Sequence, residues 1–320
     1  MTTLLPTSPA HQLEHRPPER RWLIETLWAE QAVGIVGGEP KCCKSFLALD
    51  LALAVASGAP CLRRFPPAET GRVLLYAAED ALHIVRQRLH GIALAAGVDF
   101  ATLDIQVITA PSLRLDQPGD QARLRATVEA LRPTLLVLDP FVRLHRLDEN
   151  AAAEVAPLLA DLRDLQRHFH CAVLLVHHAR KGAAHLRAGQ ALRGSSELHA
   201  WGDSNLYLRR QGASLRLTIE HRAAPGLDGL VLELRSAGDA LALHLVDAGA
   251  AAADRAPARA ASRLDHIEQV LATLSAPIPR RELRRACRMR DSALSDALGQ
   301  LLTAGRVLKS SAGYHLAPPS

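Results

Sequence analysis

The sequence predicts an α/β fold: a mostly parallel, twisted sheet with helices on both faces, an antiparallel extension, and a small C-terminal domain. Short apolar segments alternate with segments of helical length as far as residue 178, a pattern typical of parallel sheets covered by helices. After residue 205 short strands separated by glycines replace that pattern. At 320 residues and 48% hydrophobic, the chain is long enough for one large domain plus a small one.

A phosphate-binding loop lies between the first predicted strand, residues 32–36, and the first predicted helix, residues 46–56. The strand is apolar, and the helix is rich in alanine and leucine and is followed by Ser57-Gly58. The intervening GEPKCCKS matches Gly-x-x-x-x-Gly-Lys-Ser except at the second glycine. In such loops backbone N–H groups surround a polyphosphate, the lysine reaches the terminal phosphates, and the serine binds magnesium. The residues predicted to bind ATP and Mg²⁺ are Gly38, Glu39, Pro40, Lys41, Cys42, Cys43, Lys44, Ser45 and Phe46.

Cys43 occupies the position of the missing glycine. A residue with a Cβ atom costs roughly 1–2 kcal/mol where the backbone must be left-handed. Either the loop relaxes here or the protein tolerates strain, and the sequence leaves both open. The change puts turnover in doubt more than binding. Because its thiol would lie beside the phosphates, Cys43 is also a candidate for inactivation by oxidation or alkylation.

Strands and helices then alternate along the middle of the chain. The strand segments are short apolar runs, and the segments between them are long enough for helices. Glycines at 212, 226, 229 and 238 mark turns in the antiparallel extension, which is expected over residues 205–246. The predicted strands are residues 73–77, 105–108, 134–139 and 172–176, and the predicted helices are residues 81–96, 119–131 and 151–169.

Polar residues follow three of these strands, at the edge where parallel sheets bind ligands. Asp139 ends a four-residue apolar run, the Walker B arrangement, and would hold Mg²⁺ together with Ser45. Glu79 is a candidate to position or deprotonate the attacking water, or it is a carboxylate that only favours a helix start. His177 or His178 would sense the γ-phosphate or relay to nucleic acid; the alternative is that the pair only fills space and forms hydrogen bonds.

The net charge of +5 is concentrated near the C-terminus. From Arg255 onward there are 11 Arg and Lys residues and 5 Asp and Glu residues, a net charge of +6. The preceding residues therefore have a net charge of −1. A surface that binds polyanions is therefore expected in that part of the chain. The five cysteines show neither metal spacing nor a disulfide framework, and no segment is apolar enough to span a bilayer. These features predict a cytoplasmic protein without a membrane partner.

Five segments carry a family resemblance: GEPKCCKSFLALDLALA, LLYAAEDALHIVRQRLH, LLVLDPFVRL, LLVHHARKG and RGSSELHAWGDSNLYLRR. In this order they resemble the RecA-type AAA family ATPases of the plasmid-replication RepA helicase group, and more distantly the DnaB-type replicative helicases. The resemblance covers roughly residues 22–246. It implies a RecA-like core that forms rings, often hexamers, with ATP between subunits. It also implies DNA, single-stranded in particular, as a partner.

The resemblance also implies roles for individual residues. Glu79 corresponds to the catalytic base and Asp139 to the aspartate that supports magnesium. Arg210, or its neighbour Arg209, corresponds to an arginine that reaches the γ-phosphate of a neighbouring subunit; otherwise these arginines form a basic strand end. The matches to the histidine segment are His177, His178, Lys181 and Gly182, the candidates for nucleic-acid contact are Arg187 and Arg193, and the catalytic candidates are Glu79, Lys44, Arg210 and His178.

The C-terminal segment predicts a separate unit. Three helices at residues 264–274, 279–287 and 291–304 precede two short strands, which together look like a winged helix-turn-helix over residues 263–317. DNA binding would place the third helix in the major groove, but Asp291 and Asp296 there would repel phosphates. The basic residues lie instead on the second helix, so this unit would bind phosphates non-specifically or dock onto protein. These candidates are Arg280, Arg281, Arg284 and Arg285.

The predicted organisation is a flexible arm at 1–20, an ATPase domain at 21–247, an alanine-rich linker at 248–262 and a winged-helix-like domain at 263–320. The predicted function is ATP hydrolysis coupled to nucleic-acid binding or movement, in plasmid or mobile-element replication. The alternative is a nucleotide-gated DNA-binding regulator with little turnover. A third possibility is a structural adaptor that binds no nucleotide.

Overall fold

A nine-stranded sheet forms the centre of the larger of two units, Met1–Val246 and Asp247–Ser320. The structure is a computed structural model that describes residues 7–12, 22–149, 151–178, 196–246, 264–274, 276–287, 291–310 and 312–317. The predicted linker and most of the predicted N-terminal arm lie outside these residues. In the described part of the chain no helix is long and apolar enough to cross a bilayer.

The strands of the larger unit follow the predicted segments closely. A hairpin of β1 and β2 precedes the sheet, whose order is β11-β10-β9-β8-β3-β7-β6-β4-β5. The strands are β1 (Trp22–Ile24), β2 (Trp28–Ala29), β3 (Val33–Gly38), β4 (Val73–Ala77), β5 (Ile105–Val107), β6 (Leu135–Asp139), β7 (Ala172–His178), β8 (Ser204–Gln211), β9 (Ser214–His221), β10 (Leu227–Ala237) and β11 (Ala240–Leu245).

In the described part of the larger unit, five α-helices cover both faces of the sheet, as the alternating pattern predicts. Neighbouring residues of β6 show why: Leu135 and Val137 join the core beneath one set of helices, whereas Leu136 and Leu138 join the core on the opposite face. One face carries α1 (Lys44–Ser57) and α2 (Leu82–Ala96), and the other carries α3 (Pro118–Leu131), α4 (Ala152–Phe169) and α5 (Ser196–Trp201). The predicted α/β class with a mostly parallel sheet is confirmed.

β8 differs in part from the predicted antiparallel extension, because it pairs in parallel with β3 on one side and antiparallel with β9 on the other. The strands of the central sheet with antiparallel neighbours alone are β9, β10 and β11. The β3–β8 approach is close: a Cβ atom on Gly34 would lie 1.7 Å from the carbonyl oxygen of Ser204. The β1–β2 hairpin was not predicted, because strands of two and three residues carry too short a pattern. It buries Trp28 and places Trp22 edge-on to His221 of β9.

The residues described in the smaller unit form three helices and a hairpin. These are α6 at 264–272, α7 (Arg280–Ala286), α8 (Asp291–Thr303), β12 (Val307–Ser310) and β13 (Gly313–Leu316). β12 and β13 are antiparallel, and Ile278 forms a bridge to Tyr314. The elements share an apolar core formed by Ile267, Leu271, Leu283, Leu294, Leu298, Leu301, Val307 and Tyr314.

Candidate functional site

One pocket of about 290 Å³ lies at the carboxyl ends of β3, β4, β6 and β7. Parallel strands end at the same edge of a sheet, so residues distant in sequence meet there. The structure brings together the phosphate-binding loop, Glu79, Asp139 and His178, as the strand-end argument predicts. Residues that line the pocket without having been predicted are Asp80, Arg88 and Val176.

The backbone of the phosphate-binding loop is strained at Cys43. Its φ is 62° and its ψ is 29°, so the position is left-handed and the loop has not relaxed. The cost is roughly 1–2 kcal/mol. Lys41, with φ 63°, carries a second left-handed conformation that the sequence did not reveal. The Gly38 position, in contrast, requires glycine, since a Cβ atom there would lie 2.3 Å from the carbonyl oxygen of Leu208.

Burial raises the pKa of both thiols of the loop, including that of Cys43, for which the sequence predicts sensitivity to oxidation. Burial raises the pKa of Cys42, and Lys44 only partly opposes this. Burial also raises the pKa of Cys43, opposed by Arg210, Arg88 and Lys44. A raised pKa lowers the thiolate fraction at neutral pH, and the thiolate is the reactive form. The predicted sensitivity of Cys43 to oxidation is therefore weakened.

Lys44 lies at the start of α1 and is 5% exposed. Its Nζ donates a hydrogen bond to the carbonyl oxygen of Glu39 at 2.8 Å. Burial lowers the pKa of Lys44, while the negative charges of Asp139 and Glu79 oppose that shift. A buried ammonium group at a helix N-terminus, with donors still to satisfy, is suited to a polyphosphate.

Ser45 and Asp139 both line the pocket. Burial raises the pKa of Asp139 to about 6, and the nearby Ser45 hydroxyl opposes this rise. These two oxygen donors fit Mg²⁺, which typically takes one or two protein oxygens and completes its shell with water and phosphates. Within the described residues no group of three or more His, Cys, Asp or Glu could hold a metal ion. The site thus fits a cation that arrives with a nucleotide.

Glu79 and Asp80 follow β4 and each meets an arginine. Glu79 Oε1 accepts a hydrogen bond from Arg143 Nε at 2.8 Å. Asp80 pairs with Arg88, whose guanidinium lies 5.3 Å from the ring centroid of Phe46. The sequence did not predict either pair. Arg143 lies 64 residues after Glu79, and Arg88 lies on α2, whereas Asp80 precedes that helix.

Arg210 contacts the loop of its own chain. Its guanidinium donates to the carbonyl oxygen of Lys41 at 2.7 Å. The cause is the parallel pairing of β8 with β3, which places Leu208 opposite Gly38 and the following residues beside the loop. Arg210 thus lies beside the loop of its own chain, and the reach to a neighbouring subunit stays a prediction.

The two adjacent histidines have different surroundings because β7 alternates its faces. His178 lines the pocket, whereas His177 is fully buried. His177 Nδ1 lies 3.7 Å from Glu149 Oε1, and His145 Nε2 lies at the same distance from that atom. Burial lowers the pKa of His145, which disfavours its charged form. Only His178 of the predicted pair is therefore placed to meet a ligand.

The nucleic-acid candidates fall into two groups. Arg187 and Arg193 lie outside the described residues, as do Lys181 and Gly182. Arg281, Arg284 and Arg285 are exposed on α7 of the smaller unit. Their spacing of three and four residues puts them on one helix face, opposite the buried Leu283. Arg280 donates instead to Ser295 of α8 at 2.5 Å.

Comparison with known proteins gives one family and two structural likenesses. Residues 2–184 match the AAA_25 family, an AAA domain. A RadB recombinase structure is 17% identical, with a TM-score of 0.48, over 67% of this chain and 91% of that one. A KaiC-like protein from Pyrococcus horikoshii OT3 is 14% identical, with a TM-score of 0.47, over 69% of this chain and 93% of that one. The family match spans the loop, Glu79, Asp139 and His178.

Proposed function

The chain belongs to the AAA_25 family of AAA domains, and from this premise we propose that it is a RecA-like P-loop ATPase that hydrolyses ATP and couples hydrolysis to nucleic-acid binding or movement. One observation carries the proposal: Lys44, the Ser45–Asp139 pair and Glu79 line a single pocket. Each supplies a different requirement of phosphoryl transfer, namely charge, a metal site and a base.

Binding uses groups that are already in place. The N–H groups of the loop and the N-terminus of α1 would surround the phosphates, and Lys44 would exchange the Glu39 carbonyl for a terminal phosphate oxygen. Ser45 and Asp139 would hold Mg²⁺, which when bound neutralises charge on the phosphates. Arg210, beside the loop, would add a further positive charge. His178 would contact the γ-phosphate from the end of β7.

Hydrolysis then needs a base for water. Glu79 would take a proton as the water oxygen bonds to the γ-phosphorus and the bond from that phosphorus to the bridging oxygen breaks. ADP and inorganic phosphate are the products. Lys44 and Arg210 would stabilise the negative charge of the transition state, which the loop alone does not neutralise.

The proposed partner is nucleic acid, with single-stranded DNA favoured, and the proposed assembly is a ring of identical subunits. The exposed arginines of α7 support an anionic partner, and we assign the smaller unit as a winged-helix-like domain that binds phosphates. The resemblance to the RepA helicase group supports the ring and a role in plasmid or mobile-element replication.

A second function is favoured by two observations, the strained Cys43 and the ion pair of Glu79 with Arg143. Both are consistent with slow turnover. On this alternative the protein is a nucleotide-gated DNA-binding regulator in which ATP binding, rather than hydrolysis, changes DNA affinity. Negligible turnover together with an ATP-dependent gain in DNA affinity would support it, whereas rapid hydrolysis with strand separation would exclude it.

The main test compares ATP binding and ATP hydrolysis in the wild type, Lys44→Ala and Glu79→Gln, with and without single-stranded DNA. Lys44→Ala should weaken binding of a fluorescent ATP analogue. Glu79→Gln should leave binding intact and lower kcat by about 10²-fold or more, because it removes the base. Glu69→Gln, a change at an exposed glutamate outside the pocket, is the matched control and should match the wild type. DNA-stimulated hydrolysis by Lys44→Ala at the wild-type rate would refute the proposal.

A further inference from the structure

Glu79 is engaged before any substrate binds. Its Oε1 accepts the Nε hydrogen of Arg143 at 2.8 Å, although the same carboxylate lines the pocket beside Lys44 and Asp139. A carboxylate oxygen that accepts from a guanidinium has one lone pair occupied and is oriented toward that guanidinium. Water in line with a γ-phosphate would have to compete with Arg143 for this group.

Neighbouring residues hold the backbone of Arg143 in place, whereas its side chain is largely exposed. Arg143 ends a short 3₁₀ turn, Phe141–Arg143, that follows Asp139-Pro140 directly. Phe141 is fully buried, and its ring centroid lies 4.5 Å from that of His145 at an interplanar angle of 58°, which anchors the turn. Arg114 Nη1 donates to the carbonyl oxygen of Arg143 at 2.7 Å. In contrast, 61% of the Arg143 side chain is exposed, and 42% of the Glu79 side chain.

We propose that Arg143 restrains Glu79 in a slow state, and that a phosphate of bound nucleic acid competes for Arg143 and frees Glu79 to act as the base. The inference rests on the proposed function, because it concerns the base of the proposed hydrolysis. Arg143 is a positioning residue here, acting on ATP only through Glu79.

The strength of the pair suits such a restraint. Exposed ion pairs are weak, so the slow state is only a few-fold favoured and a competitor can displace it. A phosphate offers a guanidinium two parallel hydrogen bonds, a better arrangement than the single Nε contact with Glu79. Arg114 meets the backbone of the same turn, so a second guanidinium lies close to the point where a phosphate would bind.

The test compares steady-state ATP hydrolysis by the wild type, Arg143→Gln and Arg143→Lys, with and without an oligo(dT) strand. Arg143→Gln should raise basal kcat about two- to fivefold, the scale of an exposed ion pair, with KM unchanged. Stimulation by oligo(dT) should fall by the same factor, because the base is already free. Arg143→Lys keeps the charge beside Glu79 and should keep basal kcat below that of Arg143→Gln, but oligo(dT) should stimulate it less than the wild type, because an ammonium group cannot form two parallel hydrogen bonds with a phosphate.

Two controls separate this restraint from other effects. Arg146→Gln removes an exposed arginine three residues away, with no ion pair to Glu79, and should match the wild type. In a Glu79→Gln background, Arg143→Gln should leave the residual rate unchanged, because the restrained group is absent. Thermal unfolding and binding of a fluorescent ATP analogue should be equal in all variants.

The outcomes are distinct. If the wild type hydrolyses ATP and Arg143→Gln does so at the same or a lower rate, the restraint is overturned but the ATPase function is not. A lower rate would mean that Arg143 orients Glu79 productively. Absence of hydrolysis in both the wild type and Arg143→Gln, with oligo(dT) present, overturns the proposed ATPase function and the restraint with it.

Discussion

At the scale of single residues, the pocket has a strained residue at the center of its loop. Cys43 adopts a left-handed conformation directly before α1, where a glycine would meet no steric penalty. The strain persists because neighbouring contacts hold the loop: Lys44 binds the Glu39 carbonyl and Arg210 binds the Lys41 carbonyl. The side chains of Lys44 and Arg210 would also contact the phosphates of a nucleotide, so nucleotide binding would change the contacts that hold the loop.

Cys43→Gly should stabilise the protein. Relief of about 1–2 kcal/mol of backbone strain exceeds the added entropy of glycine in the unfolded chain, which leaves a net gain of about 0.5–1 kcal/mol. Chemical denaturation of the nucleotide-free protein measures it. Cys43→Ala is the matched control, since it removes the thiol but keeps the Cβ atom, and it should show no such gain. A gain in Cys43→Ala equal to that in Cys43→Gly would assign the effect to the thiol instead.

Burial affects the protonation of both Asp139 and Lys44. Asp139 and Lys44 are 8% and 5% exposed as residues, and burial shifts the pKa of each in the direction of its neutral form. A nucleotide with its cation would favour the charged form of both groups, so binding would offset part of their desolvation cost. The pocket residues therefore favour ligand binding over their own stability.

At the scale of secondary-structure elements, the pairing of β8 with β3 decides the composition of the site. It sets Gly34 against the Ser204 carbonyl and Gly38 against the Leu208 carbonyl, and it carries Arg210 to the loop. On the other side of β3, the parallel pairing with β7 brings His178 to the same edge. Two strands that end far apart in sequence therefore flank the phosphate-binding loop.

Helix α7 is the element where we expect phosphate contacts outside the pocket. The triple variant Arg281→Gln, Arg284→Gln and Arg285→Gln should weaken binding to single-stranded DNA and lower the slope of log K against log salt by about 2, at about 0.7 per phosphate contact. Fluorescence anisotropy over a salt series measures both quantities.

The matched control for α7 carries the same loss of charge on α3 and its end: Arg123→Gln, Arg125→Gln and Arg132→Gln, all exposed. It should leave the salt slope close to that of the wild type. Equal losses in the two triple variants would mean that net charge, not the α7 face, attracts the nucleic acid.

At the scale of the whole molecule, the chain divides into a large unit with the pocket and a small unit with its own apolar core. The two kinds of candidate site are thus separated: the nucleotide residues lie in the first, and the described arginine face lies in the second. The proposed coupling of ATP to nucleic acid requires communication between them or within a ring.

Ring formation should depend on ATP if the nucleotide binds between subunits. Mass photometry should show the 34.5 kDa chain move toward a species near 207 kDa, six copies, when ATP and Mg²⁺ are added. Lys44→Ala should lose this shift because it weakens ATP binding. A mass distribution that stays at one copy with saturating nucleotide would contradict the ring.

The sequence alone determined the α/β class and the order of strands and helices from β3 to β7, and it placed Lys44, Ser45, Glu79 and Asp139 at one edge of the sheet. These depend on local patterns, namely apolar strands, a loop motif and polar strand ends, which the chain carries residue by residue. Because the carboxyl ends of parallel strands lie at one edge of a sheet, the proximity of these four residues also followed from the pattern.

Only the tertiary structure decided the rest, because it depends on pairings between distant segments. Strand pairing sets β8 in parallel beside β3 and brings Arg210 to the loop of its own chain. It also places His178, and not His177, in the pocket, and the loop that follows β3 holds Cys43 in a left-handed conformation. The Arg143–Glu79 pair joins residues 64 positions apart, and neither carries a sequence signal for the other. Such contacts are set by the packing of the whole unit, which local periodicity does not encode.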